Sequence, residues 1–359
     1  MIEPPAGVGG FYWWKTMGKH TKEDLMMMQA LPLSVKVRMT ETRIRQWVQY
    51  YGEDGVYISF SGGKDSTVLL HLVRGLYPDI PAVFVNTGLE FPEIQNFVKR
   101  FDNVEILTPK MRFTDVITKY GYPFISKDVS RNVYYARRCG PDSTSYKKLF
   151  GIEDFTKSKF AHPKYAPLYD ADFMISDECC AVMKKRPAHS YSKQTGKMAI
   201  TGQQANESVL RMQHWLQQGC NAYDNITPVS NPLSFWTEQD ILQYIKTENI
   251  EIASVYGDIV QVDEYGYEYD FTLDDKCQYK TTGCSRTGCI FCGFGAHLEK
   301  GEGRFQRLKK THPKQYDYCM GGGAHDTEDG LWKPTKDGLG MAYVIDQLCR
   351  IFGKDFIKY

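Results

Sequence analysis

The stretch VYISFSGGKDS, residues 56–66, decides how this chain folds. Its β-branched and aromatic beginning predicts a buried strand, and the pattern from about Ser66 onward predicts a helix. Gly62 and Gly63 between them allow a sharp turn with unobstructed backbone N–H groups, and the helix N-terminus adds the positive end of its dipole. Lys64 supplies a mobile cation. The junction therefore predicts a phosphate-binding loop, although its spacing is not that of a Walker A motif.

Length, charge and composition limit what the chain can be. Its 359 residues are enough for a large core with appendages, and we predict a leader and helix at 1–50, an α/β domain at 51–255 and a cysteine-rich region at 256–359. The net charge of +1 provides no global field for nucleic acid or an acidic membrane, so such contacts would need local patches. Because the sequence shows neither a signal core nor a long apolar run, we expect a cytoplasmic protein without membrane association.

Hydrophobic periodicity predicts the elements around the loop. A helix is expected from about Ser34 to Tyr51, and the strand, helix and strand that end at Asn86 form one right-handed βαβ unit. Further strands are predicted at 104–107 and 198–201, further helices at 93–101 and 237–247, and a hairpin at 258–275. Residues 130–175 show no pattern that we could assign. The expected fold is an α/β, doubly wound, mostly parallel sheet with ligands at the carboxyl ends of its strands.

Two polar segments follow predicted strands. The first, NTGLEFPE at residues 86–93, places Thr87, Gly88 and Glu90 at the sheet edge expected for the phosphate loop. The second, ITGQQANES at residues 200–208, is followed by Arg211, whose guanidinium can bind an anion through two N–H groups.

Cysteines form a third set of candidates. The chain has 10 cysteines and no secretory signal, which favours thiols or metal ligands over disulfides. A C-x-x-C pair chelates well from a tight turn, and four thiolates suit either zinc or an iron–sulfur cluster. The local group Cys284, Cys289, Cys292 and Cys319 is one such set.

The SGGKDS loop resembles the pyrophosphate loop of the PP-loop ATP pyrophosphatases, whose fold is adenine nucleotide alpha hydrolase-like. The segments at 86–93 and 200–211 resemble two motifs of the phosphoadenosine phosphosulfate (PAPS) reductase family within that superfamily, except that Gln204 replaces the usual arginine. The resemblance implies catalytic roles for Lys64 and Asp65. It also implies that these residues bind an adenine nucleotide: Ser59, Ser61, Gly62, Gly63, Lys64, Asp65, Ser66, Thr87, Gly88, Glu90, Gly202 and Arg211.

The same resemblance implies a second arrangement of cysteines. The pair Cys179–Cys180 together with Cys289 and Cys292 is similar to the [4Fe–4S] ligand set of the iron–sulfur sulfonucleotide reductases. We favour this split set over the local one, and zinc remains the alternative metal. Basic residues near these cysteines offer local patches for a phosphosulfate or a nucleic-acid backbone.

Two departures from the reductases guide the functional hypothesis. The chain ends RIFGKDFIKY and lacks the Glu-Cys-Gly-Leu-His tail that supplies their nucleophile, and its phosphate loop is intact where theirs is mostly degenerate. We therefore expect an enzyme that splits ATP to AMP and pyrophosphate with Mg²⁺ in sulfur transfer or sulfate activation, similar in kind to ATP sulfurylase small subunits and nucleic-acid thiolation enzymes. One alternative is a reductase of adenylyl or phosphoadenylyl sulfate that uses a thioredoxin-like or sulfur-donor protein. The other is a nucleotide-sensing regulator without turnover.

Overall fold

The computed structural model describes residues 19–263 and 278–359. The predicted leader up to residue 18 and residues 264–275 of the predicted hairpin lie outside this part. In the described ranges, no helix combines the length and the apolar composition needed to span a bilayer. The α-helices there are α1 (Lys22–Gln29), α2 (Leu33–Tyr51), α3 (Lys64–Leu76), α4 (Pro92–Val98), α5 (Phe113–Tyr120), α6 (Lys127–Cys139), α7 (Thr144–Phe150), α8 (Glu178–Cys180), α9 (Arg186–Thr195), α10 (Val209–Gln218), α11 (Glu238–Thr247), α12 (Arg304–Thr311), α13 (Pro313–Met320) and α14 (Met341–Phe352).

The strands form one large sheet and several short ribbons. They are β1 (Val56–Ser59), β2 (Ala82–Val85), β3 (Val104–Leu107), β4 (Phe124–Ile125), β5 (Met198–Thr201), β6 (Asn221–Ala222), β7 (Val229–Ser230), β8 (Ile259–Val262), β9 (Gln278–Thr281), β10 (Gly293–Phe294), β11 (Ala324–His325) and β12 (Trp332–Lys333). The large sheet has the order β3-β2-β1-β5-β7-β6, with β1 parallel to β2 and β5, and β6 antiparallel to β7. This mostly parallel sheet confirms the predicted α/β class.

Local sequence explains the junction of β1 with α3. The first three residues of β1, Val56–Ile58, are hydrophobic and almost fully buried, as expected for the centre of a parallel sheet. Gly63 caps α3 in an extended conformation, and its carbonyl oxygen accepts hydrogen bonds from the hydroxyls of Ser66 and Thr67 at 2.9 and 3.0 Å. The helix therefore begins at Lys64, two residues before the predicted start.

Contacts between residues divide the chain into two compact units. Among the described residues, those within Met1–Phe84, Phe97–Glu105 and Gly196–Ser285 form the first unit, and those within Val85–Asn96, Ile106–Thr195 and Arg286–Tyr359 form the second. This division follows spatial contacts and does not test the boundaries expected at residues 50 and 255, which stay a prediction.

Within the first unit, α3 packs against α2 and α11. A buried ion pair links two of these helices: Lys36 donates to both carboxylate oxygens of Asp240 at 2.8 and 2.7 Å, and Lys36 is only 2% exposed. The same carboxylate accepts the backbone N–H of Thr237, which caps α11. The Asp240 carboxylate therefore accepts hydrogen bonds from both the buried Lys36 ammonium and the backbone at the start of α11.

The second unit has its own apolar core, built from α5, α6, α12, α13, α14 and the short strands between them. Tyr122, fully buried at 0% exposure, donates its hydroxyl to the carbonyl oxygen of Leu339 at 2.8 Å. The ribbon of β4 and β10 is parallel, and it joins residues 124–125 to residues 293–294. The stretch at 130–175 that the sequence left unassigned belongs here and contains most of α6 and all of α7.

Several predicted elements agree closely with the structure. The strands at 104–107 and 198–201 and the helix at 33–51 match their predictions to within a residue. The hairpin is seen as β8 paired antiparallel with β9, but β9 begins at Gln278, after the predicted range.

Candidate functional site

The phosphate loop between β1 and α3 is a preformed turn. Gly62 has φ of +70°, a conformation that residues with a Cβ rarely adopt. The Ser66 hydroxyl accepts the backbone N–H of Ser61 at 3.1 Å, and the hydroxyls of these two serines lie 3.0 Å apart. The loop is thus held by its own side chains.

The Lys64 ammonium is buried and engaged on several sides. Lys64 is 3% exposed, and its Nζ donates to the carbonyl oxygen of Ser285 at 3.1 Å. Carboxylate oxygens of Glu238 and Asp65 lie 3.3 and 3.8 Å from the same nitrogen. The Lys64 ammonium is therefore held in place by groups of the first unit.

The Tyr256 hydroxyl accepts a hydrogen bond from one of the backbone N–H groups of the phosphate loop. The backbone N–H of Lys64 donates to the Tyr256 hydroxyl at 3.1 Å, and the Lys64 ammonium lies 5.9 Å from the centre of the tyrosine ring. Tyr256 is 1% exposed, and its carbonyl oxygen accepts the N–H of Gly283 at 2.8 Å. Sequence reasoning missed Tyr256, Glu238 and Ser285, because no sequence motif connects these residues with the phosphate loop. Tyr256, for example, lies 192 residues after Lys64.

The segment after β5 packs on the loop backbone. A Cβ at Gly202 would lie 3.0 Å from the carbonyl oxygen of Asp65 and 3.4 Å from the Cα of Ser66, so only glycine fits without movement. Gln204, 4% exposed, donates its side-chain amide to the Asp65 carboxylate at 2.8 Å. The structure therefore brings Gly202 and the predicted catalytic Asp65 together, with Gln204 as an orienting group.

Two other predicted nucleotide ligands lie in the first unit. Arg211 forms an ion pair with Glu207, four residues earlier and outside α10, and the Arg211 side chain is 38% exposed. Ser59 is the half-buried last residue of β1. Their contacts with a nucleotide stay a prediction.

The segment after β2, in the second unit, is folded by its own glutamate. The Glu90 carboxylate accepts the backbone N–H of Thr87 at 3.0 Å and the Thr87 hydroxyl at 2.7 Å. Gly88 between them has φ of +72°, which explains why this position is a glycine. The Lys184 ammonium lies 3.6 Å from the same carboxylate. Nucleotide contacts of Thr87, Gly88 and Glu90 also stay a prediction.

The four cysteines of the split set influence one another electrostatically within the second unit. A hydrogen bond between the thiols raises the pKa of Cys179 and lowers the pKa of Cys180. The positive charges of Lys127 and Lys184 lower the pKa of Cys180 further, against the opposing effect of burial. Burial raises the pKa of Cys289 to about 11 and also raises that of Cys292.

Lys184 links these thiols to Glu90. Burial lowers the pKa of the Lys184 ammonium, but Cys289, Glu90 and Cys180 more than offset this, so its pKa lies above the usual value. Lys184 was noted in the sequence only as one basic residue near the cysteines, and the structure gives it a specific position among them.

The donor chemistry fits a metal, but a formed site is not seen. Four neighbouring thiols suit an iron–sulfur cluster or zinc. Across residues 19–263 and 278–359, however, no group of three or more His, Cys, Asp or Glu side chains is arranged as a metal site. In the competing set, Cys319 is 0% exposed, its Sγ lies 3.4 Å from the Met341 sulfur, and burial raises its pKa. Cys284 belongs to the first unit.

A glycine loop with a buried lysine, placed where a central parallel strand meets a helix, defines an α/β nucleotide-binding enzyme of the PP-loop class. Comparison with protein families identifies the family itself. The model of the phosphoadenosine phosphosulfate reductase domain matches residues 55–127 and 147–293, more than half of the chain. The chain belongs to this family.

Curated relatives carry several names. The chain is 31% identical over 117 residues to an uncharacterized protein of Methanocaldococcus jannaschii, a match that covers 30% of this chain and 28% of that protein. It is 27% identical to sulfate adenylyltransferase subunit 2 of Vibrio parahaemolyticus, covering 66% of this chain and 76% of the relative. It is 36% identical over 70 residues to phosphoadenosine 5'-phosphosulfate reductase of Xylella fastidiosa, covering 20% of this chain and 29% of that one.

Similar solved structures have low identity. Phosphoadenylyl-sulfate reductase from Candida auris shares 15% identity with a TM-score of 0.35, covering 65% of this chain and 90% of that chain. FMN adenylyltransferase from Candida glabrata shares 11% identity with a TM-score of 0.38, and the match covers 69% of this chain and 74% of that chain. Likeness at this level adds nothing about the reaction.

Proposed function

We propose that this protein splits ATP between its α and β phosphates, releasing pyrophosphate and activating an oxyanion acceptor in sulfate activation or sulfur transfer. The observation that carries the proposal is the intact loop, with Gly62 in a left-handed conformation and the Lys64 ammonium fixed beside it. Family membership and the relatives named sulfate adenylyltransferase subunit 2 support the sulfur chemistry.

In the proposed reaction, an acceptor oxygen forms a bond to the α phosphorus while the bond from that phosphorus to the bridging oxygen breaks. The electron pair leaves with pyrophosphate. Loop N–H groups and Lys64 would stabilise the negative charge that grows on the leaving phosphates. Because the N–H and ammonium of Lys64 donate to Tyr256 and Ser285, the phosphates would replace these partners.

Mg²⁺ belongs to the proposal as a cofactor bound with the triphosphate. Its preferred ligands are oxygens, and Asp65 is the loop carboxylate that would hold it. When bound, the ion would neutralise phosphate charge during displacement. Gln204 would then keep the Asp65 carboxylate oriented through its amide hydrogen bond.

Pyrophosphate release from ATP tests the proposal. Purified protein is assayed with Mg²⁺ and sulfate, and compared with Lys64→Ala and with Lys99→Ala, a control lysine on the exposed surface. We expect Lys64→Ala to reduce kcat/KM about 100- to 1,000-fold, as for loss of one charge-stabilising group, and Lys99→Ala to have no effect. Equal rates for the wild type and Lys64→Ala would refute ATP splitting. Sulfite release from PAPS with thioredoxin would instead favour the reductase, and ATP binding without product would favour the regulator.

We further propose a [4Fe–4S] cluster at Cys179, Cys180, Cys289 and Cys292, with zinc as the alternative. When bound, a cluster supplies electrons or a polarising charge near the substrate. The burial of Cys319 against Met341 supports the split set over the local one. A sulfur- or electron-donor protein as partner, and a cytoplasmic location, complete the proposal.

Anaerobic purification with iron, sulfide and zinc analysis tests the metal. We expect iron and sulfide in the wild type, their loss in Cys289→Ser, and full retention in Cys139→Ser, because Cys139 is an exposed thiol outside the set. Stoichiometric zinc without sulfide would show that these cysteines bind zinc instead of a cluster. Wild-type protein with neither metal would refute this part of the proposal and leave the ATP chemistry untouched.

A further inference from the structure

The first unit contains a cavity of about 550 Å³ that no predicted role explains. One wall is the face of α3 that runs from Thr67 to Gly75, and the other walls are formed by residues at 97–101 and 248–251. All lining residues belong to this unit. The volume lies in the range of pockets for small-molecule ligands, roughly 300–1,000 Å³.

Part of the cavity lining is apolar. Leu70 and Phe97 are 3% and 4% exposed, and Phe101 is half-buried. The rings of Phe97 and Phe101 are arranged edge to face, with their centroids 4.9 Å apart. This lining offers a hydrocarbon or aromatic group a surface on which it can leave water.

Arg74 brings a guanidinium with an unused donor to the same cavity. Its Nη2 donates to the carbonyl oxygen of Asn103 at 2.9 Å, whereas its buried Nε has no hydrogen-bond partner among the residues that the structure describes. Burial lowers the pKa of the guanidinium, and the charge of Asp102 offsets only part of this effect. Buried donors are rarely left without an acceptor in native proteins, so a bound acceptor is the expected partner of Nε.

The other polar groups of the cavity limit the charge of that acceptor. Arg100 and Glu251 neutralise each other, with Nη2 and Oε2 2.7 Å apart. The Nδ1 of His71 lies 3.0 Å from a tyrosine hydroxyl of α11, and the exposed Glu248 adds a negative charge to the lining. Arg74 therefore remains to bind one negative charge. A carboxylate fits this balance better than a phosphate, whose second charge Glu248 would repel.

We propose that this cavity binds a small carboxylate with an apolar body, its carboxylate on Arg74 and its body packed on Leu70, Phe97 and Phe101. A carboxylate can accept the N–H of Nε and a second N–H of the same guanidinium. The ten residues from Lys64 to Arg74 place the guanidinium about 15 Å along α3 from the phosphate loop. The site goes beyond the proposed function and does not depend on it. Free carboxylic acids and amino acids share this chemistry.

Isothermal titration calorimetry with phenylacetate tests the proposal. We expect Arg74→Gln to raise Kd about 10- to 150-fold, because a charge-assisted hydrogen bond is lost. Arg45→Gln, at an exposed arginine of α2 in the same unit, should leave Kd unchanged. Phenylacetamide has the same shape without the charge, so it should bind more weakly, and equally to the wild type and to Arg74→Gln. If Arg74→Gln weakened both ligands by the same factor, the guanidinium would not be the carboxylate's partner and the proposal would be wrong.

A second variant fills the cavity without changing its charges. Gly75 is a lining residue on the same face of α3, and a Cβ there meets nothing within 4 Å. Gly75→Leu should therefore fold normally and lose phenylacetate binding, whereas Gly75→Ala should retain it. Circular dichroism and urea unfolding verify that the variants are folded. An unchanged Kd in Gly75→Leu would place phenylacetate outside this cavity and contradict the proposal.

Two further titrations identify the ligand class and separate this site from the ATP chemistry. Tighter binding of L-phenylalanine than of phenylacetate would identify an amino acid, its ammonium near Glu248, and weaker binding would identify a free acid. Lys64→Ala should bind phenylacetate normally although it loses pyrophosphate release, so the two proposals fail separately. If ATP displaces phenylacetate competitively, the cavity belongs to the ATP site and the proposal is wrong. Wild-type protein that binds neither carboxylate at millimolar concentration also overturns it.

Discussion

Replacing Gly202 by alanine is the most direct test of how the phosphate loop is held. The added Cβ would lie 3.0 Å from the Asp65 carbonyl oxygen and 3.2 Å from its carbon, whereas ordinary contact begins at 3.4 Å. One of the two backbones must therefore move by about 0.4 Å. Overpacking of this kind costs about 1–3 kcal/mol in stability. Because Lys64 and Asp65 move with the loop, kcat/KM for pyrophosphate release should fall about 10- to 100-fold.

Gly75 provides a matched control for Gly202. It lies near the end of α3, and a Cβ there meets nothing within 4 Å. Gly75→Ala should stabilise the protein by about 0.5–1 kcal/mol, because alanine loses less entropy than glycine in a helix. Urea unfolding and the pyrophosphate assay are applied to both variants. If Gly202→Ala retained wild-type stability and kcat/KM, the loop would not depend on this close approach.

Three further predictions concern stability and loop access. Lys36→Met should destabilise the protein by about 3–5 kcal/mol in urea unfolding, because it leaves the Asp240 carboxylate buried without its cation; a loss below 1 kcal/mol would contradict this. Burial raises the pKa of Tyr122, so native protein keeps its proton above pH 10 while unfolded chain loses it, and stability should fall as pH rises past 10. Tyr122→Phe should lessen that fall by about 1.4 kcal/mol per pH unit, whereas parallel pH curves for the two proteins would exclude the assignment. Tyr256→Phe removes the acceptor of the Lys64 N–H, so phosphate no longer competes with a hydroxyl and KM for ATP should fall about 2- to 10-fold; a higher KM would mean that Tyr256 contacts the nucleotide.

The elements around the loop were predictable because their causes are local. Strand β1 is a short apolar run, Gly62 requires a left-handed turn, and α3 follows directly. Helix α6 was also within reach, since Val129, Val133 and Ala136 are buried at helical spacing, but we did not assign it. The partners of Lys64 were not predictable, because the chain folds back to bring them there and their types carry no periodic signal.

The replacement of arginine by Gln204 changes what this segment contributes to the site. An arginine can form a bidentate pair with an anion, and the resemblance assigns it to a phosphate or sulfate. Gln204 is instead buried, and its amide donates to one oxygen of the Asp65 carboxylate, whose other oxygen lies 3.8 Å from the Lys64 ammonium. A neutral amide orients that carboxylate without occupying both of its oxygens. The segment after β5 therefore acts on the loop through the close approach of Gly202 and the orientation of Asp65, and the guanidinium that it still offers to an anion is that of Arg211.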